Sequence, residues 1–234
     1  MNSIDFVAKV KKLVNTPTYY AKGCFGQKAT EGFINQKAKQ YPAWYTASKI
    51  AELKALDDAT LLADCIGMIK YILWQNANGT VIYTSNGVPD IDETTMFKRC
   101  KCISSDFTKI EEGEMVWMKG HVGIYVGKGI VVEMTNAWEK CVLESSFHKG
   151  VTNHYRVWEK HGKLPYIDYV KNESPEFSVQ VDTDYLEVHK QYDILKVLRD
   201  RPQLNIVETK ENFGRLEEGG WIDLTKCRRI KEWM

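Results

Sequence analysis

Asp64-Cys65-Ile66-Gly67-Met68-Ile69-Lys70-Tyr71-Ile72-Leu73-Trp74 is the stretch from which the rest of the chain is best read. Its apolar run is too long for most strands and predicts a buried helix with Cys65 in the first turn. A thiol there lies beside unpaired amides at the positive end of the helix dipole, which favours thiolate. Gly67 keeps the neighbouring backbone open, and Asp64 is placed to cap the helix or to order the loop. The competing reading is a buried structural cysteine, a common fate on an apolar helix.

Upstream, Ile4, Val7, Val10 and Val14 recur at helical spacing with Asp5, Lys9, Lys11 and Lys12 between them. That helix ends at the Asn15-Thr16-Pro17 break. A Gly-containing loop follows from Tyr20 to Gly26, and further helical pieces are expected between Thr30 and Ala63. The first half therefore reads as helices and loops. The N-terminal segment lacks the apolar core of a signal peptide, and no run approaches the roughly 18 apolar residues that span a bilayer. The expectation is a chain made in the cytoplasm, without stable membrane insertion.

Downstream of Glu114 the pattern changes to short β segments: Met115–Met118, His121–Val126, Ile130–Met134, Cys141–Glu144 and His154–Trp158. Helices followed by an antiparallel sheet predict an α+β domain. His121 opens its strand between Gly120 and Gly123, which leaves room for a partner or a substrate around the ring. An imidazole titrates near neutrality and suits a base that takes a thiol proton and returns it to a leaving amine. His148, His154, His161 and His189 lie in polar or linker contexts and suit that role less.

Glu133 is the one charged residue in its apolar strand, and a buried carboxylate needs a partner. A three-residue loop at Gly127, Lys128 and Gly129 would pair Gly123 with Glu133 and put His121 diagonally adjacent on the same face. A two-residue Lys128-Gly129 turn would send Glu133 to the other face. The chemistry therefore predicts the longer loop.

Lys and Arg total 32 against 31 Asp and Glu, so no global field steers the chain to nucleic acid. The six cysteines (Cys24, Cys65, Cys100, Cys102, Cys141, Cys227) fit neither a disulfide framework nor a metal motif; Cys100 and Cys102 lack a matching pair or a nearby histidine. Free thiols are expected, with no metal and no cofactor. Between Leu164 and Val179 the pattern lapses around Pro165, Lys171-Asn172-Glu173-Ser174 and Pro175, which marks a linker. Beyond it, closely spaced alternating segments from Tyr185 to Ile230 indicate a small β-barrel.

Taken together, Asp64-Cys65-Ile66-Gly67, then Gly120-His121-Val122-Gly123-Ile124-Tyr125-Val126-Gly127, then Glu133 resemble the NlpC-type cell-wall peptidases, a papain-like family. That family has an Asp-Cys-Ser-Gly start to its nucleophile helix, a His-Val-Gly-Ile-Tyr strand, and a third polar residue 12 positions after the histidine. Ile66 stands where the family usually has Ser, and Glu133 where His, Asn or Gln is often found. Tyr20-Ala21-Lys22-Gly23 resembles the family's Tyr-x-x-Gly segment, at an unusually long separation from Cys65 that implies an inserted helical segment; Tyr19 is the competitor for its role. Ser85 to Ile91 and Trp158 to Tyr166 resemble phage-encoded members.

The segment from about Asp182 to Ile230 resembles bacterial SH3-like wall-binding domains, through Phe213-Gly214-Arg215-Leu216 and Gly219-Gly220-Trp221-Ile222-Asp223-Leu224. The resemblances imply a papain-like catalytic domain over residues 1–168, with helices packed on an antiparallel sheet. A linker over 169–181 and an SH3-like barrel over 182–234 would complete the chain. They imply Cys65, His121, Glu133 and Tyr20 as catalytic residues, and Asp64, Gly120 and Trp221 as substrate contacts. The implied activity is hydrolysis of an amide in bacterial peptidoglycan, as endopeptidase or N-acetylmuramoyl-L-alanine amidase, by a monomer. The missing export signal and the phage-like stretches imply a phage or prophage endolysin, released to the wall through a membrane lesion. A host remodelling hydrolase and a non-catalytic wall-binding protein are the rivals.

Overall fold

Asn2 starts the first helix by accepting from the Asp5 amide, and Phe6, Val7, Val10 and Leu13 then share the buried face of α1 (Ser3–Val14). The computed structural model describes residues 1–170, 177–190, 193–217 and 219–232. After α1 come β1 (Thr18–Tyr20), β2 (Phe25–Lys28), α2 (Glu31–Gln40), α3 (Ala47–Lys54), β3 (Leu61–Ala63), α4 (Cys65–Leu73) and α5 (Glu93–Lys98). Then follow β4 (Lys101–Ser104), β5 (Met115–Met118), β6 (His121–Gly127), β7 (Ile130–Met134), β8 (Val142–Ser146) and β9 (Lys160–Lys163). All belong to one compact unit, Met1–Val170; Lys171–Met234 form another. The architecture is α+β, with few helices and mostly antiparallel sheets. Among the described residues no helix is long and apolar enough to cross a membrane.

In the first unit the strand order β4-β9-β5-β6-β7-β8 makes a six-stranded antiparallel sheet. Helix α4 packs across β6 and β7, where Ile69 and Ile72 meet Val122, Ile124, Val132 and Met134 in one core. Each such side chain contributes about 1.5–3 kcal/mol on burial. The apolar run that predicted a buried helix is therefore the central plank of the unit. A second sheet, β1-β3-β2, corrects the reading of the first half as helices and loops. Its strands are three or four residues long, too short to display alternation.

The β6–β7 hairpin reaches the expected register by an unexpected device. The turn has two residues, Lys128 and Gly129, both with positive φ, as a tight hairpin requires. One extra residue bulges between Tyr125 and Gly127, and this restores the parity that the short turn would lose. Ile124 pairs with Val132, so Gly123 faces Glu133 as the longer loop would have had it. A Cβ on Gly123 would lie 2.6 Å from Val131 Cγ1 and 3.3 Å from Glu133 Cβ, so only glycine lets the two strands and the Glu133 side chain fit.

The segment 154–158, expected as a strand, is irregular apart from an isolated Tyr155 bridge to Ser146. Its Arg156 and Trp158 turn inward instead, and the sheet is completed by Lys160–Lys163.

The second unit contains β10 (Phe177–Val181), β11 (Tyr185–Lys190), β12 (Asp193–Arg199), β13 (Gln203–Lys210), β14 (Phe213–Leu216), β15 (Trp221–Asp223) and β16 (Cys227–Glu232). They form one sheet in the order β12-β11-β15-β14-β13-β10-β16 around Val179, Val181, Leu186, Val188, Ile206, Leu216 and Ile222. Of the linker expected over 169–181, Tyr169 and Val170 belong to the first unit, 177–181 form strand β10, and 171–176 lie outside the described residues. Val179 and Val181 face the core of this unit, so the two apolar positions end the linker early.

Candidate active site

Cys65 is the first residue of α4, and Asp64 caps the helix by accepting from the Gly67 amide at 2.7 Å. The other Asp64 oxygen accepts from the Gly23 amide at 2.8 Å, so the carboxylate staples the Tyr20–Gly26 loop to the helix. Gly67 is required there: a Cβ would lie 1.8 Å from the Cys24 carbonyl oxygen. The thiol is 7% exposed. Burial, seconded by the charges of Asp64 and Glu93, pushes its pKa up to about 12, against the backbone amides of Ile66 and Val122, which lower it. Desolvation thus works against the thiolate that a helix N-terminus favours, and a base in place helps the thiol to ionise.

Val122, whose amide lowers the Cys65 pKa, is the second residue of β6, and His121 is the first. Across the hairpin, His121 Nε2 lies 2.6 Å from Glu133 Oε2. The carboxylate is fully buried and the imidazole 14% exposed. Glu133 also receives two bonds from Arg156, Nε to Oε1 at 2.9 Å and Nη2 to Oε2 at 2.8 Å, and one from the Ser145 hydroxyl. Burial works to raise the Glu133 pKa, yet the bonds from His121, Arg156 and Ser145 prevail and hold it below the usual carboxylate range.

An ionised Glu133 bonded at Nε2 fixes the imidazole tautomer with its proton on that nitrogen. Nδ1 is left without a hydrogen bond among the described residues, able to accept a proton. Trp158 lies flat against the ring, centroids 5.6 Å apart and planes 16° from parallel, and limits how it swings.

Tyr20 ends β1 beside Ala63, and its hydroxyl lies within the electrostatic reach of Cys65, Asp64 and Glu93; burial first, then those charges, raise its pKa. Tyr19 points elsewhere, to Glu52, between the ammonium groups of Lys49 and Lys140. Of the two tyrosines, Tyr20 is the one whose pKa the Cys65 charge raises. Gly120 shapes the β5–β6 turn with φ of 79° and open space around it. Asp64 borders the cleft, but both its oxygens are occupied by protein amides. Trp221 belongs to β15 of the second unit, where it pairs with His189 and Arg215. The structure thus pairs His121 with Glu133 and sets Asp64 beside Cys65 at the start of α4, all within the first unit.

Four contributors escaped sequence reasoning. Arg156, Ser145 and Trp158 converge on the His121–Glu133 pair, and Glu93 places a negative charge near Cys65 and Tyr20. A buried acid in an apolar strand signals a partner of some kind, but nothing local to residue 133 names the arginine 23 positions away. A cleft of about 790 Å³ opens beside the N-terminus of α4, bordered by Asp64, Ile66, Gly67 and Glu93. Among the described residues no cluster of three or more His, Cys, Asp or Glu side chains is placed to hold a metal ion.

Comparison with protein-family models finds no match to the chain, and comparison with curated proteins finds none.

Proposed function

We propose that the chain is a peptidoglycan hydrolase of the papain-like, NlpC type, cleaving an amide of the stem peptide through a cysteine acyl-enzyme. The observation that carries the reading is the His121–Glu133 pair, oriented at 2.6 Å and braced by Arg156, on the sheet against which the Cys65 helix packs. Its chemistry follows from the proton inventory. His121 Nδ1 takes the thiol proton as the sulfur attacks the amide carbon and a C–S bond forms. Collapse breaks the C–N bond, and the imidazolium returns the proton to the departing amine. Water then attacks the thioester, losing a proton to His121, and the acid leaves as the thiol is restored.

The carbonyl oxygen bears the transient charge. The Cys65 amide and the Tyr20 hydroxyl are the donors for it, Tyr20 being the tyrosine near the sulfur. Glu133 stabilises the imidazolium without taking the proton itself. The second unit is read as an SH3-like wall-binding module, Trp221 being its candidate contact, which raises the local concentration of substrate. An endolysin, phage or prophage, is the biological setting proposed.

Purified chain should clear a suspension of peptidoglycan, and Cys65→Ala should abolish the clearance. Clearance by Cys65→Ala at the wild-type rate removes the catalytic assignment. The thiol's elevated pKa favours one other reading, a protein that binds wall peptides without cutting them. In that case both proteins would sediment with wall material and neither would clear it.

A further inference from the structure

Lys37, on the inner face of α2, is only 8% exposed, yet it has no carboxylate partner among the described residues. Its ammonium donates to the Gly23 carbonyl oxygen at 2.6 Å and sits among the rings of Phe25, Phe33 and Tyr41, at 5.9, 5.5 and 5.6 Å from their centroids. An ammonium has three donors, so two remain. Aromatic faces attract a cation but do not neutralise it, and the Asp90 carboxylate, whose charge also acts on Lys37, is bonded to Lys70 and Tyr83 instead.

The residue borders the 790 Å³ cleft that also meets Asp64 and Gly67 at the start of α4. The acids of that cleft are already committed or misplaced for the role. Asp90 accepts from Lys70 and from the Tyr83 hydroxyl, Asp64 from two amides, and Asp92 from Thr95. Glu93 lies at the thiol end, where its charge acts on Cys65 and Tyr20.

We infer that Lys37 is a specificity-determining cation for a carboxylate on the peptide that fills this cleft. The inference rests on the proposed hydrolase reading and names what the cleft selects. Glu93 repels an anion from the thiol end and Lys37 attracts one at the other, so the pair orients a bound peptide with its acidic group away from the sulfur. Helix α2 lies in the segment between Tyr20 and Cys65 that is longer than the resembling family requires. The added segment thus supplies a cation to the cleft.

The test is equilibrium binding to the full chain carrying Cys65→Ala, so that nothing is consumed. The probes are the stem tetrapeptide L-Ala-γ-D-Glu-L-Lys-D-Ala, its two monoamides at the D-Glu or terminal carboxyl, and the diamide. The free acid should bind at least tenfold more tightly than the diamide, and the monoamides identify which carboxylate counts. Adding Lys37→Met, which keeps the stem among the three rings, should erase the preference by weakening the acid alone; Lys37→Arg should retain it. Equal affinity for acid and diamide, a preference that survives Lys37→Met, or no binding of any probe overturns the inference. Wall clearance by the unmodified chain separates the two readings. Clearance without acid preference removes the role of Lys37 and keeps the hydrolase, and acid preference without clearance does the reverse.

Discussion

Two histidine–glutamate pairs are built into the same six-stranded sheet, and they have opposite fates. His161 on β9 bonds Glu114 through Nδ1 and the Asp106 carbonyl oxygen through Nε2 at 3.0 Å, with both side chains nearly inaccessible. His121 on β6 bonds Glu133 through Nε2 alone and keeps part of its ring exposed. The same two residue types make a strut in one place and, in the proposed function, an acid–base pair in the other. What separates them is how many imidazole nitrogens the fold consumes: two at His161, one at His121.

The largest expected effect breaks the comparison directly. His121→Ala should lower wall-clearing turnover by roughly 10⁴-fold while leaving stability nearly intact, because Glu133 keeps Arg156 and Ser145. His161→Ala should do the opposite. Glu114 would remain buried without its partner, costing about 3–5 kcal/mol, while the fraction still folded turns over normally. Melting curves and rates measured on both variants decide it. Equal inactivity in the two, at a temperature where both are folded, would dissolve the distinction.

Arg156 is the next lever, since among the described residues no such cation braces Glu114. Arg156→Met leaves a buried carboxylate with only a hydroxyl and an imidazole, an expected loss of about 3–5 kcal/mol. Glu133→Gln in that background should recover much of the stability and none of the activity, a coupling that a double-mutant cycle in urea would measure. Glu133→Gln alone should reduce turnover by roughly 10²- to 10⁴-fold through loss of the tautomer lock.

Acid titration sharpens the same contrast. The Glu133 pKa is depressed in the folded chain, so its contribution to stability is complete above the ordinary carboxylate value of 4.5 and fades as pH falls through the lower folded value. Urea midpoints taken between pH 3 and 7 should fall toward acid in the wild type, and fall less in Glu133→Gln. Parallel curves would mean that Glu133 is not ionised by its neighbours.

Much of this arrangement was legible in the sequence because it depends on period and parity. The run after Cys65 could only be a buried helix, and the alternation at His121–Val126 and Ile130–Met134 placed the two strands. The face of Glu133 was legible from its chemistry, whereas the bulge that delivers it there was not, since a single extra residue leaves no periodic trace. Arg156 and Trp158 were hidden for a related reason: Tyr155, Val157 and their neighbours mimic a strand by alternation, yet the ladder they would join is replaced by bonds to the site. His161 was passed over as polar-loop residue because its burial comes from β9 filling the gap between β4 and β5, a pairing of distant segments. At Cys65 the helix terminus is local and readable, while the desolvation that raises the thiol pKa comes from the whole core.

A smaller effect tests the hairpin. Gly123→Ala would press a methyl against Val131 and the Val132 carbonyl, 2.6 and 3.1 Å away, at an expected cost of about 1–3 kcal/mol. Any shift of β7 also lengthens the His121–Glu133 bond, so turnover should fall further than the loss of folded protein explains. A urea midpoint unchanged by this substitution would mean that the strands part more easily than their packing suggests.

The smallest expected effect concerns the ring beside each imidazole. His161 has Phe107 at 5.1 Å, and His121 has Trp158 at 5.6 Å, whose buried Nε1 has no hydrogen-bond partner among the described residues. An unsatisfied buried donor is destabilising, so Trp158→Phe removes a penalty while giving up some packing, and the two should leave stability within about 1 kcal/mol of wild type. The phenyl ring would still lie against His121, as Phe107 lies against His161. Turnover should therefore stay within about threefold, because it is Nδ1 and not the neighbouring ring that distinguishes the pairs. A loss of tenfold or more in a fully folded Trp158→Phe would show that the indole N–H finds a partner during the reaction, and would move the distinction from the imidazole to its cover.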